Sequence, residues 1–147
     1  MRPARPLALA ALAVLLTGAA PAGGLPLQEL PPQKLAKGEC ALVVWTHAPQ
    51  ARRVAMILDG PPRARVRLDG RTRELARTSA EGAAVAGQTA RQAYAGEGVT
   101  LSLDLDMAGQ RPVPGGVAIP DGALDYRDPS GWSVVVPAGG LIACEPR

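Results

Sequence analysis

Few residues in this chain have the type and spacing to do chemistry. There is one histidine, His47, and it precedes Ala48-Pro49, a turn signal. A serine-type nucleophile needs a base held beside it, and nothing near His47 supplies that neighbour. His47 is read as a surface turn residue. Asp104 and Asp106 stand two apart in an alternating run and so share one strand face. Paired carboxylates can do general acid–base work or help hold a hard cation, but on a half-buried strand they are more simply its solvated side. Zinc takes three or four N, S or O ligands. One histidine and two mutually paired cysteines leave no such set, so no metal, no cofactor and no catalytic residue is expected, and the domain is read as non-enzymatic.

The most distinctive constellation is basic. Arg63, Arg65, Arg67, Arg71, Arg73 and Arg77 crowd one short stretch, offset there by Asp69 and Glu74. Asp69-Gly70 is a hairpin signal, glycine accepting the positive φ of the second turn position. Across a two-residue turn Arg65 faces Glu74, Arg67 faces Thr72 and Val66 faces Arg73. Arg63, Arg65 and Arg67 then share a face, and the cluster is not one basic stripe. It reads either as a patch for an anionic partner, such as an envelope glycan, a lipid headgroup or an acidic protein, or as a charged edge hairpin that discourages aggregation.

Compartment follows from residues 1–22, read as a secretory signal peptide. Arg2 and Arg5 precede an uninterrupted apolar run, Leu7 to Leu16, and small residues follow with cleavage expected after Ala22. The run is too short to span a bilayer, which takes roughly 20 residues. Ala19 stands where a lipoprotein would carry cysteine, so no lipid anchor is expected. The leader holds two of the 16 basic residues and none of the 13 acidic ones, which leaves 14 basic against 13 acidic. The pI near 9.3 is therefore no argument for nucleic acid. Single-strand binders also need aromatic platforms, and this chain has only Trp45, Trp132, Tyr94 and Tyr126. The same scarcity argues against an ordinary carbohydrate-binding module. In an oxidising compartment Cys40 and Cys144, near the two ends of the mature domain, are expected to form a disulfide. No Cys-x-x-Cys motif points to a redox pair.

The elements that must position these residues are short. Residues 23–38 open on a Pro- and Gly-rich stretch (GGLPLQELPPQ) and are expected to be a flexible arm, with a single β-rich domain over 39–147. Val99, Leu101, Leu103 and Leu105 alternate with polar residues, a half-buried strand. Cys40 to Thr46 is apolar on both faces and belongs at the centre of a sheet. Val54 to Leu58 is another strand. Asp128-Pro129-Ser130-Gly131 is a turn between LDYR and WSVVV. A turn over Pro137–Gly140 leads to a last strand, Leu141 to Cys144. Thr78 to Tyr94 is read as strand and loop, because Gly82 and Gly87 each weaken a helix by about 1 kcal/mol. Met107 to Gly122, rich in proline and glycine, is expected to be a long loop. The fold class is all-β: a small antiparallel β-barrel or sandwich of about seven or eight strands, its ends tied by one disulfide.

Val66 to Leu75 (VRLDGRTREL) followed by Ser79 to Gly82 (SAEG) resembles the C-type lysozyme inhibitors of bacterial envelopes. In that family a strand, an Asp-Gly turn and a strand ending in Glu-Leu precede a Ser-Ala-Ser-Gly-type loop. The resemblance covers about twenty residues and implies a small exported antiparallel barrel with cysteines near both ends. The family enters the lysozyme cleft with a loop serine, then Gly and Arg-Tyr. The aligned positions here are Glu81, Gly82, Ala84 and Val85, so Ser79 and Glu81 become the residues of a candidate inhibitory loop. The leading expectation is a periplasmic or secreted, soluble binding domain for an anionic envelope glycan or an exported protein. A lysozyme-inhibitor-like protein and an enzyme of unrecognised type using Asp104 and Asp106 are the alternatives.

Overall fold

A computed structural model describes residues 24–147; the expected leader lies outside the described residues. Ten strands follow one another: β1 Cys40–Thr46, β2 Arg52–Asp59, β3 Pro62–Leu68, β4 Arg71–Val85, β5 Gln88–Gly96, β6 Val99–Leu105, β7 Arg111–Val113, β8 Gly116–Ile119, β9 Gly122–Arg127 and β10 Ser133–Cys144, with a short 3₁₀ turn at Met107–Gly109. Eight of them close a barrel in the order β1-β2-β3-β4-β5-β6-β9-β10, and β10 returns to β1 from Thr46↔Ala138 to Cys40↔Cys144. All pairings are antiparallel. Closure leaves no edge in the barrel wall. β7 and β8 form an extra hairpin attached to β10, which is long enough to hold β9 over Ser133–Pro137 and β8 over Gly140–Ala143 along one edge. The Cys40–Cys144 disulfide spans 104 residues and lies at the closing seam.

Period-two alternation fills the barrel. Val99, Leu101, Leu103 and Leu105 of β6 are buried, as are Ala64, Val66 and Leu68 of β3, Leu124 and Tyr126 of β9, and Leu42 and Val44 of β1. Each large apolar side chain so buried contributes about 1.5–3 kcal/mol. β1 and β2 are apolar on both faces because their outer face is covered as well. Leu30, Ala41, Met56 and Leu58 make a second cluster, with Leu35 packed on it.

The segment expected to be a free arm supplies that cover. Leu27 and Leu30 are buried, Leu27 as part of the main core. Gln28 bridges Arg67, the Leu30 N–H donates to the Arg53 carbonyl (2.7 Å), and Arg53 Nε donates back to the Leu30 carbonyl (2.9 Å). Its prolines keep it extended, while its leucines give it a reason to dock.

Three other expectations are corrected. Pro137–Gly140 is not a turn: β10 runs through it. Gly139 and Gly140 are there for close approach, since a Cβ at Gly140 would run into the Leu42 side chain and one at Gly139 into the Pro120 carbonyl. Met107–Gly122 is not a long loop. Pro114-Gly115 turns β7 into β8, with Gly115 at φ 82°, as proline then glycine at the centre of a type II turn allows. Ser79–Gly82 is not a loop either but part of β4, which continues to Val85. Gly82 (φ 88°) sits at an irregularity between Glu81 and Ala84, and Gly87 (φ 82°) completes the turn with Ala86 (φ 46°). Bulges of this kind bend a strand and raise its twist. Among the described residues no helix is long and apolar enough to cross a membrane.

Candidate functional site

The arginine hairpin has the register its sequence implies: Arg65 opposite Glu74, Arg67 opposite Thr72, Val66 opposite Arg73. Arg63, Arg65 and Arg67 alternate with buried Ala64, Val66 and Leu68 and so lie on the outer wall. Glu74 receives Arg63 (3.2 Å) and Arg65 (2.7 Å), and Arg65 also donates to Gln33 of the N-terminal segment (3.0 Å). Hydrogen bonding from Arg65, then from Arg63, holds the Glu74 carboxyl below the usual carboxylate range. Arg73 lies on the other side of the sheet, at the barrel rim, between Asp69 (3.1 Å) and Glu97 (2.9 Å). Arg77 approaches Asp59 (3.9 Å). Four of the six arginines thus face a carboxylate; Arg67 and Arg71 have no ion pair among the described residues. The cluster is divided between two faces and largely neutralised from within, which weakens its field for an anionic partner.

Beneath the hairpin of β4 and β5 runs a buried polar chain that the sequence did not reveal. Tyr94 donates to Gln92 Oε1, Gln92 Nε2 to Gln88 Oε1 (3.3 Å) and to the Thr89 carbonyl (2.7 Å), and Gln88 Nε2 to Asp59 Oδ2 (2.6 Å). Tyr94, Gln92 and Gln88 are all buried. Burial pushes the Tyr94 phenol up to about 12 and raises Asp59 despite the attraction of Arg77. Among the described residues no buried side-chain nitrogen or oxygen lacks a partner, so the chain rigidifies the hairpin without an unsatisfied cost. It ties the hairpin tip to the turn after β2. The sequence signal was faint: positions 88, 92 and 94 share the parity of one strand face.

On the outside of the same wall is a groove of about 390 Å³. The ladder registers build it. Ser79, Ala93, Ser102, Asp125 and Val135 are successive cross-strand neighbours from β4 to β10, and Glu81, Arg91, Asp104 and Ala123 form the next row. Small side chains make the floor. Val135 is 61% exposed, the one large apolar side chain left in solvent among the described residues. Arg91 leans toward Glu81 (3.7 Å). Asp104 and Asp125 make no ion pair and accept no hydrogen bond among the described residues. Ser79 and Glu81, marked by the resemblance, and Asp104, marked by its strand, are brought together here. Arg91, Asp125 and Val135 were not foreseen, because their neighbours depend on the order in which strands pair.

The remaining candidates lie apart. Asp106 does not pair with Asp104: it follows β6 and caps the 3₁₀ turn, its Oδ1 accepting from the N–H groups of Ala108 (3.0 Å) and Gly109 (3.3 Å). His47 is exposed beside the β1–β2 turn, its N–H donating to the Pro137 carbonyl. Tyr94 and Tyr126 are buried, and Trp132 stands edge-on to Tyr126 at 6.5 Å. Among the described residues no three His, Cys, Asp or Glu side chains are grouped as a metal site. No family model, no curated protein and no solved structure matches this chain.

Proposed function

We propose that this is an exported, non-enzymatic binding domain that engages a protein partner through the groove on β4, β5, β6, β9 and β10. The observation that carries the reading is the coincidence in one groove of the exposed Val135 with two carboxylates, Asp104 and Asp125, that have no side-chain partner among the described residues. An apolar anchor ringed by polar groups is the usual anatomy of a protein contact. Export rests on the leader and agrees with the disulfide, which belongs to oxidising compartments. The arginine cluster is the weaker docking surface, since most of its charge is met by neighbouring carboxylates. The test is a non-reducing pull-down from an envelope extract with wild-type protein and with Ser102→Trp, which fills the groove floor. A partner recovered by the wild type and lost by the variant is the expected result; equal recovery refutes the groove.

A second reading, inhibition of C-type lysozyme, is favoured by one observation: Ser79 and Glu81, the two residues singled out by the resemblance, both line this groove. It predicts that the mature domain slows lysozyme and that Glu81→Ala changes the inhibition. No slowing at micromolar protein removes it.

A further inference from the structure

We infer that the groove recognises a cationic side chain, arginine or lysine, presented on an extended segment of a partner protein. The inference rests on the groove being the binding site and names the chemistry of what it binds.

Most carboxylates of this domain are paired or hydrogen-bonded within the fold. Glu74, Asp69, Glu97 and Asp59 are met by arginines. Asp106 and Asp128 cap turns, Asp128 Oδ1 accepting from Ser130 and from the Trp132 N–H. Among the described residues Asp104, Asp125, Glu29, Asp121 and Glu145 do neither, and of these only Asp104 and Asp125 line the groove. In the ladder Ser102 opposes Asp125 and Asp104 opposes Ala123, so the two acids are diagonal neighbours on adjacent strands. Diagonal pairs lie roughly 7 Å apart, close enough for like charges to repel, and this contributes nothing to the fold. Arg91 directly opposes Asp104 but turns to Glu81 on its other side. With Glu81, Asp104 and Asp125 against Arg91 alone, the groove is left negative. A guanidinium lying between Asp104 and Asp125 would relieve the repulsion and can donate to both carboxylates through its planar fork.

Two features commit the occupant to a protein segment. The row from Ser79 to Val135 crosses five strands, and at about 4.8 Å between strands it is about 19 Å long. That is the reach of about six extended residues. Val135 directly opposes Asp125, so an apolar side chain flanking the cation would cover it. A free polyamine meets the carboxylates and leaves Val135 in water.

The experiment is fluorescence anisotropy of the oxidised domain with a fluorescein-labelled hexapeptide, Gly-Ser-Val-Arg-Val-Gly, and the same peptide carrying glutamate in place of arginine. The arginine peptide is expected to bind at least about tenfold more tightly and to weaken with salt. Asp104→Asn with Asp125→Asn should lose about tenfold with an unchanged melting temperature, and Val135→Ser should weaken binding while leaving the salt dependence in place. Equal affinity for the two peptides, an unaltered double variant, or no binding at millimolar peptide overturns the inference. Spermidine that competes as well as the arginine peptide overturns the protein segment in favour of a small amine. The two readings separate in the pull-down. A partner lost by Ser102→Trp but kept by the double Asn variant refutes the cation and leaves the groove; a partner kept by Ser102→Trp refutes the groove itself.

Discussion

Leu30→Ala tests whether the segment before β1 belongs to the folded unit. Leu30 is fully buried against Ala41, Met56 and Leu58, and its backbone bonds to Arg53. Truncation removes three carbon groups, about 0.8 kcal/mol each or about 2.5 kcal/mol in transfer terms. A residual cavity adds to this, but the cluster lies under a single extended segment that can settle into the gap. The total should be about 3 kcal/mol. Urea unfolding of the oxidised protein should show a lower midpoint with the slope unchanged, because the area exposed on unfolding is nearly the same. Glu29→Ala, on an exposed side chain of the same segment, should stay within about 0.5 kcal/mol. A loss below about 1 kcal/mol for Leu30→Ala would mean that the segment rests on the barrel without contributing to it, and the account of why β1 and β2 are apolar on both faces would fail.

Replacing Cys40 and Cys144 with serine opens a loop of 104 residues. In the chain-entropy model that costs about 4–5 kcal/mol, measurable by the same titration; a change under about 1 kcal/mol would show that the β1–β10 ladder alone holds the seam. The acid limb of stability has opposing contributors. Glu74 and Asp128 are lowered in the fold, so their stabilisation is present above their unfolded values of 4.5 and 3.8 and is lost as pH falls through the folded ones. Asp59 is raised, so the fold binds its proton more tightly, and its contribution declines as pH rises from 3.8 through its folded value. Glu74→Gln should therefore flatten the acid-side loss and Asp59→Asn should steepen it; the same change of slope for both would contradict these assignments. Gly140→Ala should cost about 1–3 kcal/mol by overpacking against Leu42. The cost should shrink in a Leu42→Ala background, and strict additivity would rule out that contact.

The local features of the fold are legible in the sequence. β1 has the bounds of its apolar run, β6 follows its alternation, and the turns at Asp69-Gly70 and Asp128–Gly131 join the strands expected of them. These features depend on a few adjacent residues. The errors have two sources. Pro137–Gly140 reads as a turn, yet Gly139 and Gly140 are places where other parts of the chain press on the backbone, a distinction invisible without knowing that Leu42 and Pro120 lie there. Pro114-Gly115 was a turn signal submerged in a stretch too rich in proline and glycine to stand out. The groove was legible only in part. Ser79 and Glu81 carried a motif and Asp104 an alternation, but nothing in the chain between them tells that Asp125 and Val135 would stand beside them. That depends on β9 skipping the β7–β8 hairpin to pair with β6.

The geometry also narrows where recognition can occur. The barrel interior is occupied by Leu101, Leu103, Leu124 and Tyr94, none more than 2% exposed, so the fold does not work as a container in the manner of larger barrels. The β4–β5 hairpin is fastened to Asp59, at the end of β2, through Gln88, which Gln92 in turn supports. The outer face of β1 and β2 lies under Leu30 and Leu35, and β3 lends the Arg65 guanidinium and the Arg67 carbonyl to the same segment. The wall from β4 across β5, β6 and β9 to the Ser133–Pro137 part of β10, where Val135 stands exposed, has no such cover among the described residues. The charges largely follow the same division: four of the six clustered arginines sit beside carboxylates, while Asp104 and Asp125 have no such partner among the described residues. A side chain already paired must break that pairing before it can bind, whereas Asp104 and Asp125 gain a partner without losing one. Site-directed spin labels at position 93, on the groove floor, and at position 67, on the arginine face, would discriminate between them. Immobilisation by a bound partner at 93 alone is expected, and immobilisation at 67 alone would return recognition to the arginines.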